Sequence, residues 1–374
     1  MFQFGPLVFL LGAGIAAYVA FDLYKHWDTF WDDDITPQER MDATRVAIFI
    51  LVPIGVLLHE VGHALAVWQL GGRVVQFNWS FLSGYVVPEG NFSPAGVWWI
   101  YFSGNLVSIL LGFGALLALL VPVRPMVKYL AVTFAEVELF MSLIGYPMLS
   151  LAGVEGDWVG IYGIPPTPLK LVLALLHVAL LVALIWFIRN PRVRRWRLLL
   201  SHAAQRRVGA LEASIAAHPT DLQPRLDLAQ YYMEQGEPTL ARETVNEALQ
   251  AAPGDPDALY AAGVLAEQGK KNKQAADYYQ QALTRLGPGP RAVNVAMRLG
   301  RVYITLEQPT DAVAAYSQAI DSGPPNAEAR YWRGRAYLRL RNDTAAQNDF
   351  RAAAALDPSG DVGRMAAQEL ADKE

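Results

Sequence analysis

Five long apolar stretches, all before residue 189, constrain the fold of this chain more than any other feature of its sequence. They lie at about residues 1–21, 43–70, 96–121, 128–151 and 169–188. Each is close to the roughly 20 residues that a helix needs to cross the hydrocarbon core of a bilayer. Up to Phe187 the chain holds only seven Lys or Arg and thirteen Asp or Glu residues. The remainder holds twenty-four Lys or Arg and twenty-two Asp or Glu residues. The sequence therefore predicts an all-α, polytopic membrane helix bundle of about five helices, followed by a soluble region.

Composition narrows the possible chemistry. The chain contains no cysteine, which excludes disulfides and thiolate metal sites. Any metal ion must therefore be held by His, Asp or Glu side chains. The formal net charge of −4 gives no indication of nucleic-acid binding.

A short segment between the second and third apolar stretches has a different pattern. Apolar and polar residues alternate there with a period of two: Val75, Gln76, Phe77, Asn78, Trp79, Ser80 and Phe81. Ser83-Gly84 supplies a turn before the pattern resumes, so we expect a small β-hairpin. It is either a surface hairpin or an edge that pairs with an extended substrate through Phe77, Asn78 and Trp79.

The second apolar stretch carries the pattern His59-Glu60-Val61-Gly62-His63. On a helix, two histidines four residues apart project from the same face and can bind one metal ion. Glu60 lies beside them, where it can accept a proton from a water molecule that the ion activates. Imidazole and carboxylate ligands suit zinc, which lowers the pKa of its bound water to about 7. Because ionisable side chains are costly inside a bilayer, this cluster predicts a functional zinc site.

A catalytic zinc site usually has three protein ligands and keeps its last position for water. His59 and His63 supply two ligands, and the other histidines are poorly placed to supply a third. Carboxylates in the membrane half are better placed: Glu136, Glu138, Glu155 and Asp157. Of these, Asp157 follows a glycine just after the fourth apolar stretch.

The segment from Leu58 to Ala64, with His-Glu-x-x-His in a membrane helix, resembles the site-2 protease family of intramembrane metalloproteases. The resemblance covers about residues 43–160. It implies that an aspartate from a later core helix is the third ligand. Asp157 matches by position, with Glu138 in reserve because the usual Asn-x-x-Pro…Asp-Gly pattern of the family is absent. Gly104-Asn105 is similar to a Gly/Asn pair of the family, so Asn105 is expected to hold the hairpin or the substrate, or to link helices by hydrogen bonds.

A period of 34 residues appears beyond residue 221. Small and aromatic residues recur at fixed positions in it, with a three-residue insertion before the third unit: Ala229, Gly263, Gly300 and Gly334, then Tyr279, Tyr316 and Phe350. This spacing resembles the tetratricopeptide repeat, a helix–turn–helix unit. It predicts a superhelix of four units at about 222–255, 256–289, 293–326 and 327–360, with a capping helix at 361–372. The predicted domains are a membrane metalloprotease domain (1–188), a basic, amphipathic linker helix (189–221) and the repeat domain (222–374).

The motif and the repeats together predict an intramembrane zinc metalloprotease that cleaves a membrane protein in or near its transmembrane segment. The repeats are expected to bind a protein or peptide that recruits or regulates the enzyme. One alternative is a catalytically inactive homologue that acts as a repeat-bearing membrane scaffold. A metal-handling membrane protein is a further alternative, but it would need more ligands along a path than the sequence shows.

The expected location is a bilayer, with the bacterial inner membrane as the setting. Residues 1–21 have no basic n-region and no small-residue cleavage site follows them, so we expect a retained helix rather than a removed signal. The basic segment 189–207 favours a cytoplasmic position for the repeats, because short loops rich in Lys and Arg stay inside. The family resemblance implies the opposite side, since its metal site usually lies toward the cytoplasmic face.

Overall fold

The computed structural model describes residues 5–152, 156–164 and 166–371. The chain forms two compact units, which divide between Arg207 and Val208. The helices of the first unit are α1 (Gly5–Lys25), α2 (Trp27–Phe30), α3 (Pro37–Val46), α4 (Val52–Gln69), α5 (Pro94–Ala115), α6 (Pro125–Phe140), α7 (Tyr146–Leu151), α8 (Asp157–Gly163), α9 (Thr167–Arg189), α10 (Pro191–Leu198) and the beginning of α11 (His202–Ala217). The domain boundaries predicted at residues 188 and 221 stay a prediction.

Within the described residues, three helices are long and apolar enough to cross a membrane, judged by length and composition. They are Pro37–Gln69, Pro94–Leu120 and Pro168–Arg189. These correspond to the second, third and fifth predicted spans. The first predicted span overlaps α1, and the fourth overlaps α6 and contains α7. The predicted helical membrane fold is confirmed, and the count of five spans stays a prediction.

The second span begins at Pro37, several residues before the apolar stretch. Thr36 and Glu39 form a capping box, in which each side chain accepts the backbone N–H of the other residue. The helix continues through a π-helical turn at Ala47–Leu51 into α4. Pro53 stands just after this turn, and a proline inside a helix removes one N–H and crowds the carbonyl four residues earlier. The π-helical turn accommodates that defect without ending the helix.

The predicted hairpin is confirmed between α4 and α5. Strands β1 (Arg73–Trp79) and β2 (Gly84–Glu89) are antiparallel, with a bulge between Val74 and Gln76. The turn is fixed by Phe81, whose φ of 69° is unusual for a non-glycine residue and whose side chain is buried. The Trp79 indole N–H donates to the Pro53 carbonyl at 3.0 Å, which holds the hairpin against the second span.

The basic segment after α9 forms two helices rather than the one predicted linker helix. The break lies at residues 199–201, between α10 and α11. The Ser201 hydroxyl accepts the Ile35 backbone N–H at 3.1 Å, and the His202 N–H donates to the Asp33 carbonyl. Because these bonds require the chain to bend back toward residues 31–36, a continuous helix could not make them.

The predicted repeats are confirmed as stacked helix pairs. Their helices are α12 (Gln223–Glu234), α13 (Pro238–Ala251), α14 (Pro256–Gln268), α15 (Asn272–Leu283), α16 (Pro290–Thr305), α17 (Pro309–Asp321), α18 (Ala327–Arg339), α19 (Asp343–Leu356) and the terminal α20 (Asp361–Ala371). The recurring glycine is needed because the aromatic ring of the same repeat lies on it. A Cβ atom at Gly300 would lie 2.5 Å from the Tyr316 ring, and one at Gly334 would lie 2.7 Å from the Phe350 ring. These two rings therefore pack within their own repeat.

Candidate metal centre

Helix α4 places the two histidines of the motif on one face. The Nε2 atoms of His59 and His63 are 3.0 Å apart, and their ring centroids are 4.7 Å apart. The helix is held close to α5, because a Cβ atom at Gly62 would lie only 2.9 Å from the Ser103 carbonyl oxygen. This close approach of two backbones buries the His63 imidazole between them.

Asp157, the first residue of α8, completes a cluster with these histidines. Its Oδ2 lies 2.9 Å from His59 Nε2 and 3.0 Å from His63 Nε2. Among the described residues, this is the group of His, Asp and Glu side chains that could hold a metal ion. The other carboxylates considered as the third ligand are not in this group. Glu136 forms an ion pair with Arg197, and Glu138 is not among the three grouped residues. Glu155 is outside the described residues.

The hydrogen-bond geometry of His63 fits a bound cation. His63 Nδ1 lies 2.5 Å from the Ile100 carbonyl oxygen. Because a carbonyl oxygen can only accept a hydrogen bond, Nδ1 carries the proton and donates it. In the neutral ring Nε2 therefore carries a lone pair, which faces the Asp157 carboxylate. Two acceptors at 3.0 Å repel each other unless a positive charge lies between them. Two imidazole nitrogens and one carboxylate oxygen are a donor set that suits zinc.

Asn105 on α5 is brought to this cluster rather than to the hairpin. Its side chain is only 1% exposed, and its Nδ2 donates to Asp157 Oδ2 at 3.0 Å and to the Tyr101 carbonyl at 3.3 Å. The amide therefore orients the carboxylate. Its Oδ1 is buried and has no hydrogen-bond partner among the described residues, which leaves one acceptor available beside the centre.

Glu60 lies between the metal cluster and the hairpin. It is 5% exposed, and its Oε2 has no hydrogen-bond partner within the described part of the chain. Gly84 of β2 passes directly over it, because a Cβ atom there would lie 2.6 Å from Glu60 Oε1. A second glycine is needed on α5, where a Cβ atom at Gly104 would lie 2.7 Å from His59 Nε2. Both glycines allow main chain to approach the side chains of Glu60 and His59.

The hairpin residues proposed for substrate binding border the centre but do not enter the cluster. Phe77 is 41% exposed, and Asn78 Oδ1 accepts the Ser80 hydroxyl at 2.8 Å. The Trp79 indole N–H is already hydrogen-bonded to the Pro53 carbonyl. On β2, Gly84 lies against Glu60.

Two residues near Asp157 were not recognised from the sequence. The Tyr146 hydroxyl accepts the backbone N–H of Asp157 at 3.2 Å. His177 on α9 is stacked on Trp158 at 4.7 Å and accepts the Tyr162 hydroxyl at 2.6 Å, and its Nε2 bonds to the Leu143 carbonyl. Both fix the start of α8. The sequence signal for His177 was a single polar residue in an apolar helix.

Comparison with protein families agrees with the motif. Residues 43–144 match the family model described as Peptidase M50B-like. The resemblance to the site-2 proteases is confirmed for this segment, which contains α4, the hairpin and α5. Residues 226–290 and 297–361 match the tetratricopeptide repeat model, which confirms the repeats. Asp157 lies beyond the segment that matches the M50B-like model, so its role as third ligand is not covered by this match.

Solved structures similar to part of the chain include MamA and a TPR protein. A crystal structure of MamA is 23% identical over 39% of this chain and 84% of that one, with a TM-score of 0.35. MamA residues 41 to the end from Desulfovibrio magneticus RS-1 are 19% identical over 40% and 92%, with a TM-score of 0.34. YrrB, described as a TPR protein with an unusual peptide-binding site, is 19% identical over 43% and 99%, with a TM-score of 0.26. Comparison with curated proteins gave no match.

Proposed function

We propose that this protein is a zinc-dependent intramembrane endopeptidase, which cleaves a membrane protein in or near its transmembrane segment. The observation that carries the proposal is the convergence of His59, His63 and Asp157 beside Glu60, whose Oε2 has no hydrogen-bond partner among the described residues. The match to a peptidase family over residues 43–144 supports it. The cluster is built on Pro37–Gln69, a helix suited to a bilayer, so the bond that is cut should lie at membrane depth or next to it.

The chain's own residues account for the proton transfers of peptide hydrolysis. His59, His63 and Asp157 would hold zinc, which when bound supplies Lewis acidity toward water and the scissile carbonyl. Glu60 takes a proton from the water that attacks the carbonyl carbon. When the C–N bond breaks, Glu60 returns that proton to the leaving amine. Asn105 holds the Asp157 carboxylate in place by its hydrogen bond.

Removal of the metal tests this function. The purified full-length chain should contain about one zinc ion. When it is incubated with solubilised bacterial membrane proteins, mass spectrometry should find new termini within or beside transmembrane segments. A chelator should abolish these termini, and added zinc should restore them. A chain that binds zinc but gives no zinc-dependent termini with any membrane protein would support the scaffold alternative instead.

The hairpin is proposed to hold the substrate as an extended strand. A transmembrane helix hides its carbonyls in its own hydrogen bonds, so the substrate must unwind before it is cut. Because Ser80 N–H bonds to the Ser83 carbonyl, the antiparallel register directs the main-chain groups of Asn78 toward β2 and those of Phe77 and Trp79 away from it. The edge of β1 that carries Phe77 and Trp79 is therefore available for a further strand.

Proline at Phe77 tests this pairing. Phe77→Pro removes an outward N–H while leaving the β1–β2 bonds intact. Cleavage should fall about fivefold, which corresponds to a net hydrogen bond of about 1 kcal/mol. Phe77→Ala is the control for loss of the ring, and zinc content should stay unchanged in both variants. Equal cleavage by Phe77→Pro and Phe77→Ala would show that the N–H is not used.

The repeats are proposed to lie in the cytoplasm, where they would bind a protein or peptide that recruits or regulates the enzyme. Arg124 donates to the Trp31 carbonyl, and Arg206 lies 3.5 Å from Asp34, so the basic segments meet at one end of the membrane helices. Lys- and Arg-rich loops favour the cytoplasmic side. A bacterial alkaline phosphatase fused after Glu374 should therefore be inactive. Strong phosphatase activity would place the repeats, and their partner, outside the cytoplasm.

A further inference from the structure

A basic cavity lies at one end of the membrane helices, where the span Pro94–Leu120 leads into α6. Its volume is about 360 Å³, which is at the lower end of the range for small-molecule sites. Its walls come from the loop at 122–124, the beginning of α6 and the break between α10 and α11. The described residues that line it are not those of the metal centre, so the proposed reaction leaves this cavity without a role.

The side chains that line the cavity carry a net positive charge. Lys128 is half-buried, and its ammonium makes no hydrogen bond or ion pair within the described part of the chain. Arg124 donates one N–H to the Trp31 carbonyl at 3.2 Å, which holds the guanidinium in place and leaves its other N–H groups for a ligand. Of the described lining residues, one carries a carboxylate: Asp33, whose Oδ2 lies 3.6 Å from His202 Nδ1. With His202 neutral, two cations and one carboxylate leave one positive charge for an anion to balance.

The surface beside the cavity is apolar, which indicates what kind of anion fits it. Leu117 and Leu120, at the end of the third span, are 61% and 81% exposed, and Val123 continues this surface into the cavity. Leu199 and Leu200 line the cavity from the opposite wall. A soluble phosphate gains nothing from these side chains, whereas a phospholipid has apolar acyl chains directly attached to its phosphate. Basic pockets at the ends of membrane helices are sites that anionic lipid headgroups occupy.

We propose that this cavity binds the headgroup of an anionic phospholipid, with the phosphodiester between Arg124 and Lys128 and the acyl chains along Leu117 and Leu120. A phosphodiester carries one negative charge, which matches the net charge of the lining. A zwitterionic lipid also carries an ammonium, which the two cations repel, so the site discriminates against it. Because the break between α10 and α11 forms one wall, a bound lipid also holds that break against α6.

Native mass spectrometry of the purified full-length chain in neutral detergent tests this site. One phosphatidylglycerol should bind per chain, about fivefold or more tightly than phosphatidylcholine. Lys128→Gln and Arg124→Gln should each weaken phosphatidylglycerol binding about fivefold, because each variant loses one charge contact with the phosphate. Lys170→Gln is the matched control and should bind the lipid as the wild type does. Lys170 is also half-buried, but it lies at the beginning of α9, and only the other end of that helix leads to α10.

The possible results separate a lipid site from its alternatives. Equal affinity for the two lipids, or wild-type affinity in Lys128→Gln and Arg124→Gln, would overturn the proposal. Displacement of phosphatidylglycerol by an equal concentration of inorganic phosphate would show that the cavity holds a soluble anion instead. If circular dichroism shows that one of the two variants is unfolded, the other still decides the question. The measurement needs neither zinc nor cleavage, so its result is independent of the proposed function.

Discussion

Glu60→Gln should abolish proteolysis while zinc remains bound. The amide has nearly the same shape as the carboxylate but cannot accept the proton of the attacking water. Loss of a general base typically lowers a rate by about 10²- to 10⁴-fold. Zinc should be retained because Glu60 is not one of the three groups that meet in the cluster. The fold should also be retained, since Glu60 Oε2 makes no hydrogen bond within the described residues and the variant removes a buried ionisable group.

The measurement compares cleavage and zinc content in the same purified preparations. Glu89→Gln is a matched control, because it makes the same chemical change at an exposed end of the hairpin, where Glu89 pairs with Arg73. Cleavage by metal-loaded Glu60→Gln at the wild-type rate would refute the assigned role of Glu60. In cells, an uncut membrane protein should accumulate with Glu60→Gln. If the variant instead behaves as wild type while deletion of the protein has an effect, the scaffold alternative gains support.

The parts of the fold that were predictable from sequence depend on local periodicity. The hairpin follows from alternation with a period of two, and the repeats follow from a period of 34 residues. The positions of His59, Glu60 and His63 relative to one another follow from a single helix, because residues four apart share a face. Each of these features needs only a short window of sequence to specify it.

The rest of the site depends on contacts between distant segments. Asn105 and Asp157 are 52 residues apart in sequence, and His59 and Ser108 are 49 apart. No periodic pattern links such residues, since the contact depends on how α4, α5 and α8 pack. Resemblance to a family pointed to Asp157, but nothing in the sequence indicated that Asn105 orients it. The break between α10 and α11 was missed for the same reason, because it is stabilised by the contact of Ser201 with Ile35.

Asp157→Asn should remove zinc as well as activity, which separates the loss of a ligand from the loss of a base. The side-chain amide occupies the same volume and can donate to the Nε2 lone pairs of His59 and His63, so the metal-free centre can remain folded. An uncharged amide is a much poorer zinc ligand than a carboxylate. We expect zinc affinity to fall by roughly 100-fold or more, since even residues that only orient ligands contribute about 10- to 100-fold.

Competition with a chelator measures this affinity, and Asp28→Asn, at an exposed position on α2, controls for the change in charge. Asn105→Ala should give a smaller loss, because it removes the donor that orients the Asp157 carboxylate but leaves the ligand itself. The loss of zinc affinity should therefore be largest for Asp157→Asn and smaller for Asn105→Ala, whereas Asp28→Asn should bind zinc nearly as the wild type does. If Asp157→Asn keeps zinc at wild-type affinity and Glu138→Gln loses it, Glu138 is the third ligand and the cluster seen here is not the zinc site.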